Sequence, residues 1–525
     1  MDPAADSQTP RPGRLAGAEH RFLKGYAPLA LAGIAVVAVI AVFPSRAEDQ
    51  PGSGTLRAGD LGQSASGWNT SVKPCPGNRP QVPGDSYSPP CFVFRGDNGG
   101  ETSQGVSADE ITVTYRRTAE PNVLNLLAAL LGIKFNETPQ DFERTMAGLV
   151  EYFNENFEFY GRRMKLEVFD GKGTLAGELT GGGQETATND GLKAGSELEA
   201  FADITGVTQP YSEALVKQKV IAFGAPYLSR EWFTKRRPFA WSLASDCSVV
   251  AETASTYGLR RLVGKPAIFA GGVLKDRPRK IAVISPTNPE YQQCTRAGLK
   301  VLEDAGEEPA LVSDYVLDIG RIPSQAKSIA AQIVSRGITT ISSFSDPLMM
   351  LSLTQELQSQ GLEPEWTIGG VAFLDADLIG QGLAKKTDQW KRSFGLSPLG
   401  EQMPAKESPG YKAFKSVRPD EEPSQIVDVF YYQLYQLALG IQMAGPDLTP
   451  ENFETGMFSY PVATGPGGTW DYFAGSYTPI IDAREIWWDP KKTSPFNGER
   501  GSYASTNERY REEEIPEGQP KVLGR

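Results

Sequence analysis

Residues 339–361 read TTISSFSDPLMMLSLTQELQSQG. Thr339 to Ser343 carries the short apolar and hydroxyl pattern of a buried strand, and a Ser-rich turn follows it. Asp346 then precedes Pro347 at a natural helix start, because Asp caps unpaired N–H groups and proline tolerates the first helical position. The helix runs from Leu348 to Gln360. Working outward, the same unit recurs on both sides: strand Ile281–Ile284, helix Tyr291–Ala305, strand Ala310–Val316, helix Ser324–Ser335, and beyond the quoted stretch strand Trp366–Ile368. Alternation of this kind predicts a parallel sheet with right-handed crossovers.

An earlier stretch repeats the architecture without repeating the sequence. Ile111–Tyr115 alternates as a strand, and Phe142 to Phe157 places Phe142, Met146, Leu149, Val150 and Phe153 at helical spacing. Strand Met164–Phe169, helix Glu185–Leu198, strand Ala200–Ile204, helix Tyr211–Gln218 and strand Val220–Phe223 follow. With 525 residues the chain is long enough for two such lobes, each with its own core. After Gly400 the pattern changes. Ser424 to Ala444 (SQIVDVFYYQLYQLALGIQMA) predicts a long buried helix returning to the first lobe, since Asp428 and its glutamines are too polar for a membrane span. Thr464 to Trp470 predicts a turn and Arg484–Trp488 a final short strand.

Tyr26 to Phe43 (YAPLALAGIAVVAVIAVF) carries no charge and rises roughly 27 Å if helical, enough to cross a bilayer core. Arg11, Arg14, Arg21 and Lys24 precede it, and Glu48 and Asp49 follow, so the positive-inside rule sends the remainder across the membrane. Ser45-Arg46-Ala47 has the small residues that a signal peptidase needs, which leaves both an uncleaved anchor and a cleaved signal peptide open. The bulk is expected to be extracytoplasmic. A net charge of −12 gives no general electrostatic reason to expect nucleic acid.

The four cysteines all lie beyond the apolar segment, where disulfides are permitted. Of the three possible connectivities, Cys75 with Cys91 and Cys247 with Cys294 are favoured. The first closes a Pro- and Gly-rich loop with little core, where a cross-link contributes about 3 kcal/mol in the chain-entropy picture. The second ties two helices of one lobe. No C-x-x-C is present, and the single histidine, His20, precedes the membrane segment, so neither a metal site nor a cofactor is expected. Residues 44–108 read as a linker with one stapled loop. Residues 491–525 read as a polar, loosely packed tail.

Enzyme chemistry finds little support. G-x-S-x-G and G-x-x-x-x-G-K are absent from the sequence, and the lack of histidine beyond the membrane segment removes Ser-His and Cys-His nucleophiles. Gly181-Gly182-Gly183 precedes a helix but has no following lysine. A carboxylate pair working as in a glycosidase stays a minor alternative, because 64 Asp and Glu residues make some pair inevitable.

Glu151 to Phe169 (EYFNENFEFYGRRMKLEVF), Lys280 to Gly298, Thr339 to Gly361, and Thr464-Gly465 ahead of Gly468 and Trp470 resemble successive segments of the type 1 periplasmic binding fold. Within that fold they are similar to the branched-chain amino acid (Leu/Ile/Val) binding proteins of bacterial ABC importers. The resemblance spans Asp109 to Asp489. It implies an α/β protein of two Rossmann-like lobes with parallel sheets, joined by a three-segment hinge near Trp241–Ala244, Phe394–Leu399 and Val462–Gly468. Residues 1–25 then precede the membrane segment 26–43, residues 109–242 and 401–461 form lobe 1, and residues 243–400 and 462–490 form lobe 2. The implied function is capture of a small polar, amino-acid-like ligand between the lobes and its delivery to ABC permease subunits. The alternative is a membrane-tethered sensor or accessory protein of the same fold. Two departures bear on the ligand: Arg116 to Thr138 replaces a short loop after the first strand, and Thr205-Gly206-Val207-Thr208 replaces a glycine and serine pair after the third.

The resemblance marks candidate ligand contacts. Thr205 and Thr208 flank the turn before the Tyr211 helix, where hydroxyls and N–H groups can hold a carboxylate, or simply cap the helix. Tyr227 follows a strand and either meets a ligand or packs at the lobe edge, and Tyr291 opens a second-lobe helix at a position where the resemblance implies a cleft residue, with surface capping as the alternative. Asp346 is placed to pair with an ammonium group or to cap its own helix. Arg116 and Arg117 end the first strand facing opposite ways, so at most one points straight into a cleft; Arg116 is the candidate for an anionic ligand, with a solvated strand end as the alternative.

Overall fold

The computed structural model describes residues 68, 70–119, 137–179, 182–224, 227–318 and 320–520. The apolar segment Tyr26–Phe43, the candidate cleavage site and Val123–Ile133 lie outside the described residues. Among the described residues, no helix is long and apolar enough to cross a membrane.

Ahead of the first lobe, Val72–Pro74 (β1) and Phe92–Phe94 (β2) pair antiparallel, and Cys75 is bonded to Cys91 at their ends. This segment differs from the expected tether, because it packs into the core. Tyr87 stacks on Trp470 with ring centroids 4.2 Å apart and donates to the Gly468 carbonyl at 2.6 Å. Trp68 donates to the Met443 carbonyl at 3.0 Å. The buried carboxylate of Asp85 accepts from the Tyr435 hydroxyl at 3.0 Å and from the Tyr87 N–H at 3.0 Å. Isolated aromatic anchors among prolines and glycines leave no periodic trace, which is why the segment reads as a linker.

The first lobe is built on Glu110–Arg117 (β3), Arg163–Asp170 (β4), Ala202–Gly206 (β5), Ile221–Gly224 (β6) and Ala240–Trp241 (β7), all parallel in the order β4-β3-β5-β6-β7. Ile111 lies opposite Met164 and Val113 opposite Leu166, so the alternating residues seen in the sequence face the core. The helix Pro139–Asn156 starts with a capping box of Thr138 and Asp141 and buries Met146, Leu149 and Phe153. Against it lies the helix Val427–Ala444, buried at every position, with Tyr431 stacked on Phe153 at 5.5 Å. The return to the first lobe expected of this segment is therefore present. Gly440 lets it approach the helix Pro450–Phe458, since a β-carbon there would lie 2.1 Å from the Phe453 ring.

The second lobe contains Ile281–Pro286 (β8), Leu311–Tyr315 (β9), Thr340–Ser343 (β10), Glu365–Ile368 (β11) and Ser393–Ser397 (β12), again parallel. A small hairpin, Ala463–Gly465 (β13) with Gly468–Trp470 (β14), precedes Asp482–Thr493 (β15), which joins β12 antiparallel. Arg500–Arg511 (β16) then pairs with β15, giving the sheet order β16-β15-β12-β11-β10-β8-β9. Residues 500–511 of the expected loose tail thus form an edge strand of the second sheet. Its charged residues are what an edge facing water tolerates, and they mask the strand in the sequence. Arg509 of β16 holds the Pro398 and Leu399 carbonyls at 2.8 and 3.0 Å, beside Arg484, which holds those of Leu399 and Gly400 at 3.0 and 2.6 Å. Of the segment Phe394–Leu399, read as a strand or loop crossing between the lobes, Phe394–Ser397 lies in the strand β12.

The second disulfide joins Cys247, first residue of the helix Cys247–Tyr257, to Cys294 in the helix Pro289–Asp304. Both expected pairings are present.

Candidate functional site

Between the two sheets lies a cavity of about 360 Å³. Its walls come from the residues that follow the strands: Thr118 after β3, Val207 after β5, Leu317 after β9, Phe344 and Asp346 after β10, Gly370 to Phe373 after β11, and Pro398 and Leu399 after β12. Both sheets therefore present their carboxyl ends to one space, the usual position of a ligand in an open α/β sheet. The side wall is the start of the buried helix Val427–Ala444 with the residue before it, through Ile426, Val429, Phe430 and Gln433. Phe142, Leu175, Leu179 and Ile204 complete the first-lobe side, and Val250 with the Cys247–Cys294 disulfide lines the second. Apolar surface predominates.

The lobes touch at the rim. Tyr227, which follows β6, stacks on Tyr291 in the helix after β8, with centroids 5.6 Å apart and planes 18° apart. Ser229 donates to Gln293 Oε1 at 2.6 Å. Burial pushes the phenol pKa of both tyrosines up, so both stay neutral. Tyr227 also accepts from the Gln209 N–H at 2.7 Å, which fixes its hydroxyl.

Four of the other sequence candidates are bound up within the protein. Arg116 is fully buried, and its Nη atoms reach Glu178 at 2.8 and 3.0 Å and Asp190 at 3.1 Å, with the guanidinium 3.5 Å from the centroid of the Tyr211 ring. Burial opposes its charge, but Glu178 outweighs burial and holds the pKa above the usual arginine value. Arg116 lines the β3 end of the cavity, yet its charge is already matched by Glu178 and Asp190. Arg117 faces the other way and pairs with Glu143 and, at 2.8 Å, Asp170.

Thr205 lines the cavity, but its hydroxyl donates to Asp203 at 2.7 Å and accepts from the Arg116 N–H at 3.1 Å. Thr208 is turned away from the cavity and donates to Glu178, leaving its helix without a side-chain cap. Expectation and structure differ there because the buried Glu178, which also binds Arg116, takes the hydroxyl. Asp346 lines the cavity but caps its helix, accepting from the Leu348 and Met349 N–H groups at 2.8 and 3.1 Å, while Tyr315 donates to its other oxygen. Burial raises its pKa, and those hydrogen bonds oppose the rise.

The sequence reading missed Tyr115 and Gln433. Both line the cavity, and neither side chain has a hydrogen bond to any described residue. A lone glutamine inside the apolar run VDVFYYQLYQLALG was the available signal. Also missed was the lip Gly370–Phe373, where Ala372 and Phe373 adopt positive φ of 49° and 57°.

A family profile described as "Periplasmic binding protein" matches residues 138–484. Comparison with the curated proteins gives no match. Among solved structures, the chain is similar to a fatty acid ABC transporter substrate-binding protein from Thermomonospora curvata, at 14% identity and TM-score 0.50, covering 80% of this chain and 98% of that one. It is also similar to a leucine-, isoleucine-, valine-, threonine- and alanine-binding protein from Brucella ovis in its closed conformation, at 11% identity and TM-score 0.53, covering 79% and 99%. A third is a solute-binding protein of an ABC transporter from Rhodopseudomonas palustris HaA2 in complex with p-hydroxybenzoic acid, at 12% identity and TM-score 0.51, covering 78% and 98%. With two parallel α/β lobes facing one cavity and a family match over most of its length, the chain belongs to the periplasmic binding protein family.

Proposed function

We propose that this protein is an extracytoplasmic solute-binding protein that captures a small molecule between its lobes and delivers it to the permease of an ABC importer. One observation carries the reading: the carboxyl ends of both sheets wall a single cavity whose rim is bridged by Tyr227 and Tyr291. A ligand touching both lobes binds the closed form better than the open one, and only such differential affinity drives closure. Closure is then the state that a permease reads. Family membership and the ABC-transporter titles of the similar structures support delivery to an importer. They also favour a binding role over catalysis. Transfer across the membrane rests on the Tyr26–Phe43 segment.

The test is a thermal-shift screen of the full chain against amino acids, alcohols, amides, aromatic acids and fatty acids. A cognate solute raises the melting temperature by mass action, and Val429→Trp, which fills the cavity, abolishes that rise. Stabilisation by a solute that persists in Val429→Trp would place binding elsewhere and end the proposal.

A further inference from the structure

We infer that the cleft selects an apolar molecule bearing an uncharged hydrogen-bonding group and rejects carboxylates. This rests on the reading of the cleft as a solute site and names its ligand class. The first argument is charge. Arg116 and Arg117 are the cations along the cavity wall among the described residues, and each is held by two carboxylates: Glu178 and Asp190 for the first, Glu143 and Asp170 for the second. Asp346 adds a fifth carboxylate. Two guanidiniums against five carboxylates leave no surplus positive charge for an anion, and drawing Arg116 away would leave Glu178 buried and unpaired. An ammonium fares no better at Asp346, whose oxygens already accept from two backbone N–H groups and the Tyr315 hydroxyl.

The second argument is what remains. Gln433 is 95% buried and lines the cavity, and its side chain has no hydrogen-bond partner among the described residues. Its Nε2 sits where a β-carbon on Gly224 would come within 3.0 Å, so the positive-φ glycine leaves room for the carboxamide. The Tyr115 hydroxyl, at the end of β3, is likewise without a described partner. A carboxamide and a phenol donate to and accept from a neutral alcohol, amide or carbonyl without a compensating charge. The surrounding wall of Phe142, Phe344, Phe430 and Leu399 desolvates any charge brought in and takes up an apolar body.

The test uses the full chain in lipid nanodiscs, with empty nanodiscs as the blank. Calorimetry is run with phenylbutanol, phenylbutyramide, phenylbutyrate and phenylbutylammonium, probes that share one apolar body, and with L-leucine. The alcohol and amide are expected to bind roughly tenfold or more tighter than the two ions. Gln433→Leu is expected to weaken amide binding about fivefold while leaving the melting temperature within a few degrees, and Tyr115→Phe to act similarly on the alcohol. Tighter binding of phenylbutyrate, phenylbutylammonium or leucine overturns this inference while leaving the solute-binding proposal standing. Neutral preference that survives both variants overturns the assignment of Gln433 and Tyr115. Absence of binding by every probe, together with a screen that finds no stabilising solute, overturns both proposals.

Discussion

Tyr227 and Tyr291 come from different lobes and lie face to face, 5.6 Å between centroids and 18° between planes. Offset stacked aromatics of this kind contribute about 0.5–1.5 kcal/mol beyond the area they bury. Because the two rings belong to separate lobes, that energy exists only when the lobes are together. The pair acts on the open–closed balance and leaves each lobe's own stability nearly untouched.

Tyr291→Ala is therefore expected to weaken solute binding by roughly three- to tenfold through loss of the closed state. Small-angle scattering should register a larger radius of gyration for the ligand-free variant. An unchanged scattering profile and unchanged affinity would show that the stack plays no part in closure.

Arg116 gives the opposite expectation, stability without ligand contact. Arg116→Met removes the partner of Glu178 and Asp190, and breaking a buried ion pair on one side costs about 3–5 kcal/mol. Denaturant unfolding should show that loss. Arg116→Met combined with Glu178→Gln should recover part of it, since fewer carboxylates are then stranded. If Arg116 instead held an anionic solute, the single variant would lose affinity while keeping its unfolding midpoint.

How legible the fold was depended on periodicity. The first four strands of each parallel sheet and the helices at Pro139, Pro289, Ile322 and Pro347 could be read because apolar residues recur at the right spacing, whereas β7 and β12 fell in segments read as crossings between the lobes. β16 could not, since an edge strand with arginine, glutamate and serine has the composition of a tail. Residues 70–108 could not either, because Tyr87 and Phe92 anchor singly. At the cleft, the sequence located the strand ends but not the partners of their side chains. Arg116 and Thr208 were drawn to Glu178 by contacts whose sequence separations of 62 and 30 give no warning, whereas the capping of its own helix by Asp346 was one of the two roles legible in the sequence. Gln433 was hidden for the converse reason, lying in a helix whose apolar character pointed only to the core.

The Cys247–Cys294 bond lines the second-lobe side of the cavity, so it couples redox state to the site. Peptide mapping without reduction should find the two peptides linked. Cys247→Ala with Cys294→Ala is expected to cost about 2–4 kcal/mol by releasing the unfolded chain. Affinity should fall as well, because the starts of two cleft helices are no longer joined. Free alkylation of both thiols in the folded protein would remove the basis of this expectation.

Asp428 gives a pH dependence. Burial raises its carboxyl to about 7, against the lowering effect of hydrogen bonds from Ser408 and the Gly410 N–H. Asp375 is raised in the same way to about 6. For a carboxyl raised by folding, the unfolded chain releases its proton near pH 4 while the folded chain keeps it. Stability is fully present below pH 4 and is lost as pH rises to about 7, by up to about 4 kcal/mol for Asp428. Asp428→Asn, whose amide oxygen still accepts from Gly410, should flatten that slope and stabilise the protein at pH 8. Urea unfolding at pH 5 and pH 8 measures it, and a slope unchanged in the variant would assign the effect to other groups.

Asp346 separates a cap from a ligand contact. Its Oδ1 accepts from the Leu348 and Met349 N–H groups, which otherwise have no helical partner, and its Oδ2 accepts from Tyr315. Loss of a cap costs about 0.5–2 kcal/mol, and here the Tyr315 hydroxyl is left without its carboxylate as well, so Asp346→Ala should fall at the upper end of that range. Asp346→Asn keeps an acceptor for the N–H groups and should lose less than half as much. Solute affinity should change little in either variant, because both oxygens are spent on the protein before a ligand arrives. Calorimetry beside a ligand-free melt decides between the roles. A hundredfold loss of affinity in Asp346→Asn with an unaltered melt would mean that the carboxylate serves the ligand, and that the helix start is held by something else.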